Sequence, residues 1–365
     1  MTERYDVVVI GAGMAGASIA AELAPHASVL LAEAEDQPGY HTTGRSAAFW
    51  EVCYGGPDVA PLTLASGPYL RELGVLHTRG ALYIARDHAE AAVAAFLARF
   101  EHSGANLRRR NRAQLELRIP GLRPEWTRAI EEPSCADIDV AALHQHYLAL
   151  GRRAGAVLRG SSRLEAAERE GDGWRLCFTR GEEARAGVLV NAAGAWADDV
   201  AALAGVRPLG IAPLRRTVVQ MRTDPPSPVG LPLVLDLGGE FYFKPEQDRL
   251  WLSPHDETPS APCDAAPEEL DVALAIHRFE QVVDWRVSAV ERKWAGLRSF
   301  APDRLPVYGY DPRAEGFFWF AGQGGFGIQT APAAARLSGQ LLLGQGRDAM
   351  TRALDAALYS PARFG

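Results

Sequence analysis

The stretch VVVIGAGMAGASIAAEL, residues 7 to 23, constrains the fold more than any other part of the chain. Four apolar residues, Val7 to Ile10, read as a buried strand of a parallel sheet. Ala15, Ile19, Ala20 and Leu23 then recur at helical spacing. The glycines between them therefore fall at a strand-to-helix turn. Gly11 permits the tight turn, Gly13 lets backbone approach a diphosphate, and Gly16 lets helix pack on strand. The helix start supplies free N–H groups and a partial positive charge, which suit that anion. A second apolar run, SVLLAEAE, places Glu33 where a carboxylate can accept hydrogen bonds from a ribose diol. An ordinary βαβ unit packed with small residues would also use such glycines. The added acid favours a dinucleotide whose adenosine half lies over residues 11 to 33.

The chain has 365 residues, enough for two domains around large cores. Its net charge of −7 and the lack of a basic block beyond Arg108 to Arg110 argue against nucleic acid as a partner. That short run reads as solvated surface. Cys53, Cys135, Cys177 and Cys263 show neither metal nor redox spacing, so no metal is expected and a reducing compartment is. No apolar run reaches the roughly 18 residues that span a bilayer. The first strand begins without a charged leader, and the expected location is the cytoplasm.

Further along, residues 87 to 101 read as a surface helix and 139 to 152 as another, with Asp139 as N-cap. Residues 156 to 190 read as short strands. The last of them, AGVLVNAAGAW, ends in small residues and a helix. Residues 208 to 300 carry antiparallel strand patterns with one helix near 267 to 282. GFFWFAGQGGFGIQTAPAAARLSGQLLL then gives strand, glycine-rich turn and helix once more. The expected fold is α/β, with an α+β substrate part. A Rossmann-like βαβ nucleotide domain at 1–80, 139–208 and 296–365 interleaves with a mostly antiparallel sheet domain at 81–138 and 209–295.

Six segments in this order, GAGMAGAS, GYHTTGRSAA, VLVNAAGAWAD, FYFKP, WAGLRSFAPDRLPVYG and FAGQGGFGIQTAPAAA, give a resemblance over essentially the whole chain. It is similar to the flavoprotein family of D-amino-acid oxidase, glycine oxidase and sarcosine oxidase. Within that family it most resembles bacterial D-arginine dehydrogenase. The resemblance implies FAD, and no cysteine near the C-terminal glycine-rich segment offers a covalent link, so non-covalent FAD is expected. The cofactor residues it implies are Gly11, Gly13, Ala15, Gly16 and Glu33 in the first unit, and Thr43, Gly44, Arg45 and Ser46 in the second. Ala193, Gly194 and Trp196 follow, then Gly296 and the run Gly325, Phe326, Gly327, Ile328, Gln329 and Thr330. The last run puts a helix N-terminus beside the flavin, where its dipole favours negative charge on reduction.

The implied reaction is oxidation of a D-amino acid by hydride transfer to flavin N5. The imino acid formed hydrolyses to a 2-oxo acid and ammonia. Such chemistry needs a substrate carboxylate held firmly, and the fork of Arg binds carboxylate bidentately. Arg298 in AGLRSF and Arg216 in LRRTVV are the candidates, with Tyr242 and Tyr54 as phenolic donors. Arg298 stands amid apolar residues, where a bare guanidinium is costly. Arg216 also fits an edge-strand charge, and Tyr242 plain sheet packing. The resembled D-arginine enzyme carries an acid where this chain has Ala81 and a histidine where it has Phe49. Both changes make the substrate pocket, which Gly325 also borders, more apolar, so a neutral side chain is expected. Secondary amines, cyclic imino acids, 2-hydroxy acids and a flavin module without turnover stay open. The electron acceptor, quinone or oxygen, is not legible, and neither is the oligomeric state.

Overall fold

A computed structural model describes residues 3–365. Two large sheets and one small one organise them. The first sheet is built on the opening apolar run. Glu3–Ile10 pairs in parallel with Val29–Ala32 on one side and Glu182–Asn191 on the other. Val8 sits level with Leu30 and Leu189, and all three are fully buried. Burial on both faces is what a continuous apolar run requires. Val157–Arg159 extends one edge and Phe317–Ala321 pairs with the end of Glu182–Asn191. The helix Met14–Leu23 covers one face, packed against Val140–Arg153 and Gly327–Leu342. Asp139 caps the helix Val140–Arg153 by accepting from Ala142 N–H, as its sequence predicts.

The second sheet has ten strands, and every adjacent pair but one is antiparallel. Ala81–Arg86 and Leu233–Asp236 form the parallel exception. Its spine is the pairing of Ala212–Asp224 with Arg286–Phe300. The helix Glu269–Glu280 packs on this pair. Phe49–Trp50, Ala136–Ile138 and Leu76–Thr78 form the third sheet.

Two elements differ from expectation. The helix Ala60–Glu72 is hidden in the sequence by its internal Pro68 and by Gly67, yet it buries Leu62, Ser66 and Leu70. Arg108 and Arg109 are exposed, as expected, but the run is also paired. It lies in the edge strand Arg108–Asn111, where Arg110 pairs with Glu131 and Arg109 with Glu90. Among the described residues no helix is long and apolar enough to cross a membrane.

Candidate active site

One cavity of about 520 Å³ runs from Glu33 to Arg216 and Arg298. Its first end is the glycine turn. Gly11 has φ +96°, and a Cβ there would lie 2.7 Å from Ala192 O. A Cβ on Gly16 would lie 1.7 Å from Gly11 O, so only glycine lets helix and turn meet. Glu33 accepts the Ala12 N–H at 2.7 Å and the Glu35 N–H at 3.1 Å. Thr43 Oγ1 accepts the Met14 N–H at 2.9 Å. The second unit is thereby tied to the start of the first helix. Gly13, Ala15, Thr43, Ser46, Ala193, Gly194, Trp196 and Gly296 line the cavity.

Two expected cofactor residues serve the wall from behind, and a third is tied up at it. Gly16 and Gly44 do not line the cavity; Gly44 donates to Gly39 O at 2.8 Å and shapes the turn. Arg45 does line it, but its guanidinium is already engaged. One nitrogen donates to Ala265 O and Ala295 O, and the other meets Asp264. It ties the turn to the second sheet rather than standing free as an anion donor.

The middle of the cavity is walled by Gly325, Gly327, Ile328 and Gln329 at the start of the helix Gly327–Leu342. Phe326 and Thr330 face away. Phe326 packs with Val59 and Phe300, and Thr330 Oγ1 donates to Phe326 O. Gln329 bridges three elements. It donates to Tyr54 O and Thr63 Oγ1 and accepts from Glu51 N–H. A glycine cradle, two helix N-termini and a ribose-type acid on one continuous cavity fit FAD.

The far end holds the charged groups. Leu214 is level with Arg298, and Arg216 with Gly296, across the central strand pair. Side chains two apart share a face, so Arg216 and Arg298 are diagonal neighbours on one side of the sheet. Both are only 7% exposed. Arg298 Nη1 donates to Tyr54 Oη at 2.8 Å, and Nη2 meets Glu257 at 2.6 Å. Arg216 Nε donates to Asp256 O at 2.9 Å. Burial, then the nearby Arg298, lowers the Arg216 pKa to about 10, so it stays charged at neutral pH. Burial lowers Arg298 too, but Tyr54 and Glu257 outweigh that and raise it. Burial and Arg216 hold His255 down to about 3, so this imidazole is neutral. Tyr242 lines the same end, its hydroxyl pushed up by burial.

Beside this clamp the cavity is mainly apolar, although Arg99 and Asp236 also lie on its wall. Phe49 packs at 5.5 Å from Tyr54 and 5.9 Å from Tyr242, ring to ring. Tyr83, Phe96, Phe100, Leu235 and Leu237 complete the chamber. Ala81 does not border it. It is fully buried on Ala81–Arg86, level with Glu132 and Leu233. Its methyl is too short to reach, whereas Tyr83, two residues on along the same face, does line the cavity. Sequence reasoning missed Tyr83, Phe96 and His255. For Tyr83 the strand period was the available signal.

Behind the chamber lies a buried acid pair, of which Glu132 was missed. Glu51 and Glu132 are both fully buried. Glu132 accepts the Val52 N–H at 2.9 Å, and Glu51 accepts the Cys53 N–H at 2.9 Å. Glu51 Oε2 has no partner. Burial, then Glu132, raises the Glu51 carboxyl well above the usual range. Lys244, one of two lysines, is buried against Asp137 at 2.8 Å and does not line the cavity.

The sequence model of the family described as FAD dependent oxidoreductase matches residues 6–341. Hydrogen cyanide synthase subunit HcnC of Pseudomonas aeruginosa is 24% identical, over 100% of this chain and 97% of that protein. Glycine oxidase from Geobacillus kaustophilus has a similar fold, with TM-score 0.84 at 24% identity over 98% of each chain. L-proline dehydrogenase from P. horikoshii reaches TM-score 0.86 at 21% identity, over 100% of this chain and 98% of that one.

Proposed function

This chain belongs to the FAD-dependent oxidoreductase family, and on that premise we propose that it oxidises a D-amino acid with an uncharged, apolar side chain to the imino acid. The carrying observation is the pairing of two buried arginines on one sheet face with an aromatic chamber beside them. FAD, when bound, supplies the two-electron acceptor for the substrate α-hydrogen and its electron pair. Arg216 and Arg298, with Tyr54 and Tyr242, hold the carboxylate. Phe49, Tyr83 and Phe96 take the side chain and keep water from it. A mid-sized aliphatic group gains about 1.5 to 3 kcal/mol from such burial. The guanidinium groups also favour loss of the proton from the substrate ammonium, because a neighbouring positive charge disfavours the charged amine. The D configuration and the choice of primary amine rest on the six-segment resemblance.

Anaerobic bleaching of the bound flavin tests this reading. D-leucine, D-phenylalanine and D-methionine should bleach it faster than their L forms, D-arginine, N-methylamino acids, proline or 2-hydroxy acids. Faster bleaching by L-proline or by a hydroxy acid would replace the reading with that chemistry.

A further inference from the structure

Glu257 sits where three guanidinium groups meet. Its Oε1 is 2.6 Å from Arg298 Nη2, 2.9 Å from Arg304 Nη2 and 3.7 Å from Arg216 Nη2. Its Oε2 is 3.0 Å from Arg304 Nη2. Arg216 and Arg298 are buried, while Arg304 reaches solvent. One further carboxylate faces the group. Asp256 accepts from Thr217 N–H and Oγ1 and lies 3.7 Å from Arg216 Nε. His255 adds no charge at neutral pH. Three cations against two anions leave a surplus of one positive charge, which one substrate carboxylate cancels.

We infer that Glu257 is a specificity-determining residue that limits the clamp to substrates with a single carboxylate. It does not line the cavity, so it acts through the arginines as a positioning residue. By holding Arg298 Nη2 from outside, it leaves Nη1 and the Tyr54 hydroxyl turned to the ligand. By its charge, it removes the second positive unit that an acidic side chain would need. A second substrate anion would enter a mainly apolar chamber with no buried cation left to match it, the exposed Arg99 being the one further cation beside Phe96 and Phe100 on the wall, and that is costly. Selection here comes from a charge set against the wrong ligand, beside the contacts made to the right one.

The inference rests on the carboxylate clamp of the proposed function, and its test needs no turnover. Succinamate and succinate are matched in size and differ by one charge. Each is titrated into the FAD-loaded protein and followed by the shift in flavin absorbance. The unaltered protein should bind succinamate more tightly than succinate. Glu257→Gln should move the ratio toward succinate by about tenfold, the order expected for one charge in a partly buried site. Glu257→Asp should keep the original preference. Arg304→Gln changes charge the other way at an exposed position and should move the ratio further toward succinamate. Ratios unchanged in both Glu257→Gln and Arg304→Gln would overturn the inference, as would succinate binding better to the unaltered protein. Failure of both ligands to bind would overturn it together with the clamp. Correct ratios without bleaching by any D-amino acid would leave the inference standing and remove only the proposed substrate.

Discussion

Tyr54 and Arg298, 244 positions apart in the chain, share a 2.8 Å hydrogen bond near the start of the helix Gly327–Leu342. They meet there because Gly325 leaves the space open. A Cβ on Gly325 would stand 2.0 Å from the Tyr54 hydroxyl and 2.9 Å from Arg298 Nη1.

Gly325→Ala should therefore disturb the clamp and leave the adenosine end intact. Overpacking of this kind costs about 1 to 3 kcal/mol. The expected result is a raised KM for the amino acid with FAD content preserved. Unaltered KM in a flavin-loaded Gly325→Ala protein would show that Tyr54 does not need this place.

Arg298→Met removes one arm of the clamp and leaves Glu257 facing only Arg304 and Arg216. Loss of a buried charge-assisted contact should weaken transition-state binding by about 2 to 5 kcal/mol. Steady-state kinetics should show it mainly in kcat/KM. Flavin absorbance should be retained, which separates a lost substrate contact from a misfolded chain.

FAD should come away without breaking a covalent bond. Cys53, the one cysteine on the cavity wall, lies at the substrate end among Phe49, Tyr83 and Tyr242. Acid precipitation should leave yellow FAD in the supernatant, and flavin held in the pellet would contradict this.

Glu51 should carry a pH signature in stability. Its folded-state pKa is raised by burial and by Glu132, so the native state holds a proton that the unfolded chain releases. Stability from this group is greatest below the usual carboxylate range and declines as pH rises toward the raised folded value. Glu51→Gln keeps an acceptor for the Cys53 N–H and abolishes that decline. Urea unfolding of the FAD-loaded variant should show a gain of about 1 kcal/mol, widening as pH rises above 5. A loss at every pH would mean the carboxyl contributes more than its charge costs.

How far the sequence carried depends on the range of the forces involved. The first βαβ unit was legible because its strand, turn and helix are adjacent in the chain, and Gly16 answers to Gly11 only five residues before it. Arg298 was legible because a guanidinium in an apolar strand has few harmless roles. Arg45 lines the cavity as expected, but its ties to Asp264 and Ala295 were not legible, since those partners are more than 200 residues away. Ala81 was placed by alignment alone, which fixes a position on a strand but not how far a methyl reaches. Glu257 and the Glu51 and Glu132 pair gain meaning only from cross-strand register and loop packing, which no local pattern encodes.

The cavity draws its walls from four distant segments, around Gly13, Thr43, Gly194 and Gly327. A chain ending at residue 300 would have the adenosine seat and both clamp arginines, but not the wall formed by Gly325 to Gln329. The seat for the cofactor is therefore completed only by the last fifth of the chain. Chains truncated after the central strand pair should engage folding helpers rather than flavin.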